Sequence, residues 1–416
     1  MSTQNGNNGS RVAGRPALEK MAVPAPPASL REGAEISISP AAAGHSGGAE
    51  KILGGFQNLL RDWQKFHLVS QDYKVAVADQ QTFLTDLRGW LDQVELEIRA
   101  ATPADQPRLE NEIQQSLRAP VIATLNSLFE KFEVVSDQIP PDLETAHHAF
   151  ARRQLHSFWL TAPFMHRTFT KPMGYAGDYE MMNMIVRNGM EGDSLFAQLI
   201  NAYLLDQPPC RAVRNRVGFL ETKISAEVSR VVRSGQKAKI FAIACGPAWE
   251  ASNFIAQHPL ADHAEFHLLD FSEPTLHHTE KKIAGIKQQN HRRTPVKFIK
   301  NSVQNLLRAR GKARSQPEYD LIYCSGLYDY LSDSVCKALN SHLFDLLKPG
   351  GFLVVGNFAT NTPGQNLMEH LMDWFLIYRN GRQVAALSPE QAAADDCVVR
   401  AEPTGANIFL EVRKPE

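Results

Sequence analysis

Cysteine is scarce in this chain. Cys210, Cys245, Cys324, Cys336 and Cys397 are the five among 416 residues, and no two have the spacing Cys-x-x-Cys. That excludes the usual zinc-site spacings and a disulfide framework, so no metal is expected. It also predicts a reducing, cytoplasmic setting. An excess of one charge is missing too, with 44 basic residues against 45 acidic ones. A nucleic-acid binder would carry a basic excess or stripe, so none is expected as a partner. The short run His291-Arg292-Arg293 reads as a solvated loop. No apolar run approaches the ~20 residues of a membrane span, so no integral membrane segment is expected. The N-terminus shows no apolar core of a secretory signal.

What is present divides by composition. The length suits two or three domains. Residues 1–48 are rich in Gly, Ala, Pro, Ser and Asn and are expected to be a disordered tail. Residues 49–144 read as a helical domain. Phe56, Leu59, Leu60 and Trp63 fall at i, i+3, i+4 and i+7. Leu84, Leu87, Leu91, Val94 and Ile98 alternate steps of three and four, and Val121, Leu125, Leu128 and Phe132 share a face. Pro103, Pro107 and Pro120 read as breaks or helix starts. Such helices pack on themselves or, with heptad-like spacing over about two heptads, make a homodimer contact.

Residues 145–235 read as a helical lid and substrate region, interrupted at "FTKPMGYAGDYEMMNMI". Pro172, Gly174 and Gly177 break the helix there. Tyr175 and Asp178 are candidate substrate-binding residues of that loop, Asp178 having N-capping of the next helix as its alternative. Over 236–416 the rhythm turns to strands and helices in alternation. Strands are expected at 239–244, 265–269, 296–299, 319–324 and 352–356. Two more, 397–401 and 408–413, flank the turn-rich "EPTGAN". The fold class is therefore α/β: a doubly wound seven-stranded sheet ending in an antiparallel hairpin, preceded by an all-α N-terminal region.

The stretch "KIFAIACGPAWEASNF" passes from a buried strand to a helix through Cys245-Gly246-Pro247-Ala248. In an open α/β sheet a nucleotide lies beyond the carboxyl end of that strand. Gly246 lets a ligand approach the backbone, Ala244 and Ala248 are nearly as small, and Pro247 stiffens the turn. Asp270 ends the next strand, 24 residues after Gly246. A carboxylate there can accept from both hydroxyls of a ribose, with helix capping as its alternative. No Gly-x-Gly-x-x-Gly is present, which argues against a dinucleotide site.

With these features, residues 236–416 resemble class I S-adenosylmethionine-dependent methyltransferases. "FAIACGPAWE" resembles the first motif of that family and "LLDFSE" the acidic second. "YDLIYCSGLYDYLSD" resembles the fourth, and "LFDLLKPGGFLVVGNF" the helix, turn and fifth strand that follow. The resemblance implies a Rossmann-like methyltransferase sheet and S-adenosyl-L-methionine as cofactor. It assigns cofactor contacts to Ala244, Cys245, Gly246, Pro247, Asp270, Phe271, Asn301, Ser302, Ser325 and Gly326. The chain departs from the family where Ala242 replaces an acidic residue and Ala244 and Ala248 replace glycines. Arg216, upstream of the sheet, is the candidate for the carboxylate of the cofactor's methionine part.

The resemblance also places Tyr328, Asp329 and Tyr330 beside the transferred methyl. Asp329 is the candidate base or orienting group, and Tyr328, Tyr330 and Tyr175 complete the candidate catalytic set. More narrowly, residues 150–416 are similar to bacterial methyltransferases of 3-hydroxypalmitic acid methyl ester synthesis, through "KPMGYAGDYEMMNMI", "IACGPAWE", "SGLYDYLSD" and "MDWFLIYR". That implies methyl transfer to a small-molecule acceptor, the carboxylate of a hydroxy fatty acid. Phe164, Met165, Phe169, Met173, Met181, Met182 and Met184 suit an apolar substrate. The alternatives are an N- or O-methyltransferase of another metabolite or peptide, or a non-catalytic binding module on the same fold.

Overall fold

The computed structural model describes residues 46–309 and 318–416. Of the expected tail, residues 1–45 lie outside the described residues, and Ser46 begins the helix Ser46–Gln64. The apolar face read from Phe56, Leu59, Leu60 and Trp63 is there but exposed. Leu59–Glu416 form one compact unit.

Two long helices, Gln71–Ala100 and Gln106–Ser136, follow. Their buried stripes are the ones the spacing predicts. Leu84, Leu91 and Ile98 are buried in one, Val121, Leu125 and Phe132 in the other. Pro107 sits in the first turn of its helix, where its missing N–H costs little. Pro120 is neither a break nor a start, because it lies inside Gln106–Ser136. The Pro120 carbonyl accepts a hydrogen bond from Thr124 Oγ1 one turn further on.

This helical core is not confined to the N-terminal helices. It takes in Phe358, Leu367, Met368, Leu371, Met372 and Trp374. Arg152 and His156 hold that returning segment. Arg152 donates to the carbonyls of Glu369 and His370, and His156 Nε2 lies 2.9 Å from the Leu371 carbonyl.

The sheet has seven strands: β1 Ala238–Ile243, β2 Ala264–Asp270, β3 Val296–Lys300, β4 Tyr319–Ser325, β5 Leu347–Phe358, β6 Cys397–Ala401 and β7 Asn407–Arg413, in the order β3-β2-β1-β4-β5-β7-β6. The first five are parallel, and β7 runs antiparallel between β5 and β6. Alternate residues of β1 face opposite layers. Ile240 and Ala242 pack with the helices Pro208–Arg233 and Trp249–Gln257, while Phe241 and Ile243 pack with Asp333–Leu346. β5 starts before the expected residue 352. It carries Pro349-Gly350-Gly351 as an irregularity, where its register with β4 jumps from Tyr319↔Leu347 to Leu321↔Phe352. Gly351 is required there, since a Cβ would lie 2.8 Å from the Lys348 carbonyl oxygen. With β2 on one side of β1 and β4 on the other, the chain reverses its winding at β1, which opens a crevice at the carboxyl ends of these strands.

Candidate active site

The chain leaves β1 through a turn that side chains resist. Ala244, Gly246 and Ala248 have φ of 50°, 51° and 44°. The left-handed region costs a non-glycine residue roughly 1–2 kcal/mol, yet both alanines adopt it. Asp270 holds the turn. Gly246 N–H donates to Oδ2 at 3.0 Å, and Ser272 N–H donates to Oδ1 at 2.9 Å. Thr279 Oγ1 donates to the Gly246 carbonyl, and Lys282 Nζ to that of Pro247. Capping of the helix Glu273–Gln289 falls to Ser272, not to Asp270. The Asp270 carboxylate is therefore left to face a cavity of about 600 Å3. Burial pushes its carboxyl upward, and the N–H groups of Ser272, Gly246 and Phe271 oppose that.

Ala244, Cys245, Gly246, Pro247, Phe271, Ser325 and Gly326 line the same cavity. Asn301 and Ser302 do not. The Asn301 N–H supports the Asp270 carbonyl from behind, and Ser302 Oγ accepts from Asn305 N–H.

Arg216 reaches the cavity from the helix Pro208–Arg233 and is 9% exposed. Its Nη2 contacts the Met182 sulfur at 3.4 Å, and no carboxylate pairs with it among the described residues. Gly326, at φ +93°, lets it in, because a Cβ there would lie 3.1 Å from Arg216 Nη2.

The turn after β4 splits its three candidates. Asp329 is buried on the cavity wall. Its Oδ1 accepts from Phe358 N–H at 2.6 Å, and burial pushes the carboxyl up to about 6. Tyr330 also lines the cavity, and its OH accepts from Trp374 Nε1 at 2.8 Å. Tyr328 does not line it. Its ring is fully buried on the other side of the turn, and its OH donates to Asn340 Oδ1 on Asp333–Leu346. A single turn sends neighbouring side chains to opposite sides, so Tyr328 serves the core.

The loop 174–177 lines the same cavity. Gly174 and Gly177 have φ of +84° and +82°, and a Cβ on Gly177 would lie 3.3 Å from the Tyr330 oxygen. The Tyr175 ring packs on Phe271, with centroids 5.3 Å apart. Burial pushes its phenol upward, with Thr275 and Ser272 as hydrogen-bond partners that oppose the shift. Asp178 is not on the cavity wall. It accepts from the N–H groups of Glu180 and Met181, capping Tyr179–Arg187, and pairs with Arg167 at 2.9 Å. Its alternative as a cap is the one the contacts support.

Several wall residues escaped the sequence reading. Val186, Val213 and Val217 come from helices without a motif, whereas Met182 was named only for an apolar substrate and Trp374 and Leu376 only within "MDWFLIYR". Glu250 was visible only as an acid in the first turn after Gly246. It is 7% exposed, lies on the wall and accepts from Tyr323 OH at 2.9 Å.

Residues 241–353 match the family model described as a methyltransferase domain. No curated protein matches this sequence. Among solved structures, the chain is similar to a possible exported protein from Bordetella parapertussis, with 17% identity over 67% of this chain and 100% of that one, at a TM-score of 0.48. It is similar to magnesium protoporphyrin IX methyltransferase from Synechocystis with bound S-adenosylhomocysteine, with 15% identity over 60% and 98%, at 0.36. It is also similar to an N-methyltransferase from Bradyrhizobium japonicum in complex with S-adenosyl-L-homocysteine, with 15% identity over 51% and 90%, at 0.31. The residues present fit S-adenosylmethionine. Asp270 offers a fixed carboxylate for a ribose, and Arg216 offers a buried cation that no protein carboxylate pairs with among the described residues.

Proposed function

We propose that this chain, which carries a class I S-adenosylmethionine-dependent methyltransferase domain, methylates a small acceptor with an apolar body. The supporting observation is the largely apolar part of the cavity wall made by Met173, the loop 174–177, Met182, Trp374 and Leu376. The bound cofactor supplies an electrophilic methyl on a sulfonium. The protein's share is to hold the acceptor atom in line and exclude water. Tyr175, Gly177, Tyr330 and Trp374 wall the cavity together, with Gly177 packed against Tyr330 and Trp374.

On this reading the acceptor group is the carboxylate of a hydroxy fatty acid, as the narrower resemblance implies. Such a carboxylate is ionised near neutral pH and needs no base. Its acyl chain suits a flexible, methionine-bearing wall. Asp329 favours a second reading, a hydroxyl or amine acceptor. A carboxyl raised to about 6 is deprotonated at neutral pH and placed to take a proton.

Asp329→Asn separates the two. Its amide oxygen keeps the Phe358 N–H bond, so the turn is preserved. With a 3-hydroxy fatty acid the variant should keep most of its turnover. With an alcohol or amine it should lose about 10²–10⁴-fold, the range of a lost general base. The parent's rate with a neutral acceptor should also fall as pH drops through about 6, where Asp329 gains its proton. A fatty acid loss as large as the alcohol loss would reject the carboxylate reading.

A further inference from the structure

Among the described residues that line the cavity, three are acids and one is a cation. The acids are Glu250, Asp270 and Asp329, and the cation is Arg216. An acceptor with an anionic head meets three side chains of its own sign on this wall and one of the opposite sign. If the head is a carboxylate, Arg216 is the side chain of this wall that can recognise its charge.

The contacts of Arg216 show which part of the cavity it serves. Both Nη atoms stand over Gly326, since a Cβ there would lie 3.1 Å from Nη2 and 3.2 Å from Nη1. Gly326 directly follows β4, and the same turn brings Asp329 and Tyr330 to the cavity. Nη2 also contacts the sulfur of Met182, which belongs to the apolar wall. The guanidinium thus joins the turn that the resemblance places beside the transferred methyl to the wall that suits the acceptor's body. Burial works against its charge, and the carboxylate that opposes this most strongly is Asp329, ahead of Glu250. A thioether is a weak acceptor, so most of the fork's five N–H donors keep capacity to spare. A buried cation with no anion in contact is costly, and a carboxylate takes guanidinium donors two at a time. Asp270, by contrast, is fixed by backbone N–H groups and needs nothing from Arg216.

We propose that Arg216 is the residue that selects an acidic acceptor, its guanidinium donating to the acceptor's carboxylate while the apolar body lies against Met182. The inference rests on the carboxylate reading above and deepens it, by assigning the cation that reading requires. It moves Arg216 from the cofactor's carboxylate, where the sequence set it, to the acceptor's. In the transfer, one acceptor oxygen bonds to the methyl carbon as the carbon–sulfur bond breaks, and the electrons of that bond stay on sulfur. No proton moves. The ester product is neutral, so its charge pairing with Arg216 ends at the step that makes it, which favours product release.

The test is calorimetry on the full chain saturated with S-adenosylhomocysteine, using a medium-chain 3-hydroxy fatty acid and the diol that has an alcohol in place of its carboxyl. The parent should bind the acid about tenfold or more tightly than the diol, the scale of a charge-assisted hydrogen bond. Arg216→Gln should lose about 10- to 100-fold for the acid, erase that preference, and leave the diol and S-adenosylhomocysteine itself within about threefold. Arg216→Lys keeps the charge but loses the fork, and its affinity for the acid should fall between parent and Arg216→Gln. If Arg216→Gln weakens S-adenosylhomocysteine by about tenfold or more and keeps the preference for acid over diol, the proposal is overturned and Arg216 returns to the cofactor. A parent that binds acid and diol equally also overturns it, and that measurement needs no variant. In either case, turnover of the acid by the parent leaves the carboxylate reading standing. A parent that methylates a neutral acceptor and not the acid overturns both.

Discussion

The carboxyl ends of β1, β2 and β4 build one half of the cavity wall from a backbone turn and the residues that directly follow each strand, whereas the other half is assembled from segments far apart in the chain. In the first half, Asp270 is fixed at both oxygens by N–H groups of Gly246 and Ser272. In the second, the loop 174–177 meets Trp374, nearly 200 positions further along the chain by the numbering. Lys171, just before that loop, ties the two by donating to the Asp373 carbonyl and carboxylate, both at 2.7 Å. A cofactor of constant shape can be held by backbone geometry. An acceptor that differs between enzymes is read by side chains, which change without disturbing the sheet.

The sharpest way to break this comparison is Asp270→Ala. It should weaken S-adenosylhomocysteine binding by about 1–3 kcal/mol. It should also lower Tm, because two N–H groups inside the turn lose their acceptor. Asp270→Asn, which keeps one oxygen acceptor, should recover part of the Tm but little of the affinity. Unchanged affinity in Asp270→Ala, measured by calorimetry, would show that the strand ends do not hold the nucleoside.

The same division decides what could be read in the sequence. Buried parallel strands are continuous apolar runs bounded by turns, so β1 to β4 and the hairpin strands fall within two residues of their expected ends. Gly246 and Asp270 were legible because a strand end fixes where a residue must lie. The rest of the wall was legible only in part: Met182 stood among the methionines suited to an apolar substrate and "MDWFLIYR" holds Trp374 and Leu376, but nothing local to them tells which cavity they reach. Tyr328 and Tyr330 look equivalent in "GLYDYLSD", and only the turn geometry sends one to Asn340 and the other to Trp374. Asp178 showed its capping role in sequence, but its ion pair with Arg167 spans 11 positions without a pattern. Glu250 was visible as an acid, but its burial depends on Tyr323 from another strand.

A smaller effect is expected on the acceptor side. Tyr175→Ala removes the ring that packs on Phe271, a contact on the scale of about 0.5–1.5 kcal/mol. Turnover of S-adenosylmethionine with any accepted substrate should fall by up to about tenfold. Tm should hardly move, because Tyr175 is only partly buried. Full turnover in this variant would remove the loop from the mechanism and leave it a break between helices.

The smallest effect concerns the two alanines of the β1 turn, and it tests whether they weaken the cofactor half. Ala244→Gly relieves a left-handed alanine, worth roughly 1–2 kcal/mol. It also frees the unfolded chain, which costs roughly 0.5–1 kcal/mol. The net should be a gain below about 1 kcal/mol, a Tm rise of no more than a few degrees. Ala248 has the same backbone strain but is 1% exposed, so Ala248→Gly also gives up a buried methyl worth about 0.8 kcal/mol. It should therefore melt at or below the parent and below Ala244→Gly. Neither change touches the Gly246 N–H or its bond to Asp270, so S-adenosylhomocysteine affinity should stay within about twofold in both. An affinity gain of tenfold or more would mean that the methyl groups themselves obstruct the cofactor. The turn would then be limited by crowding at the ligand rather than by the cost of its backbone.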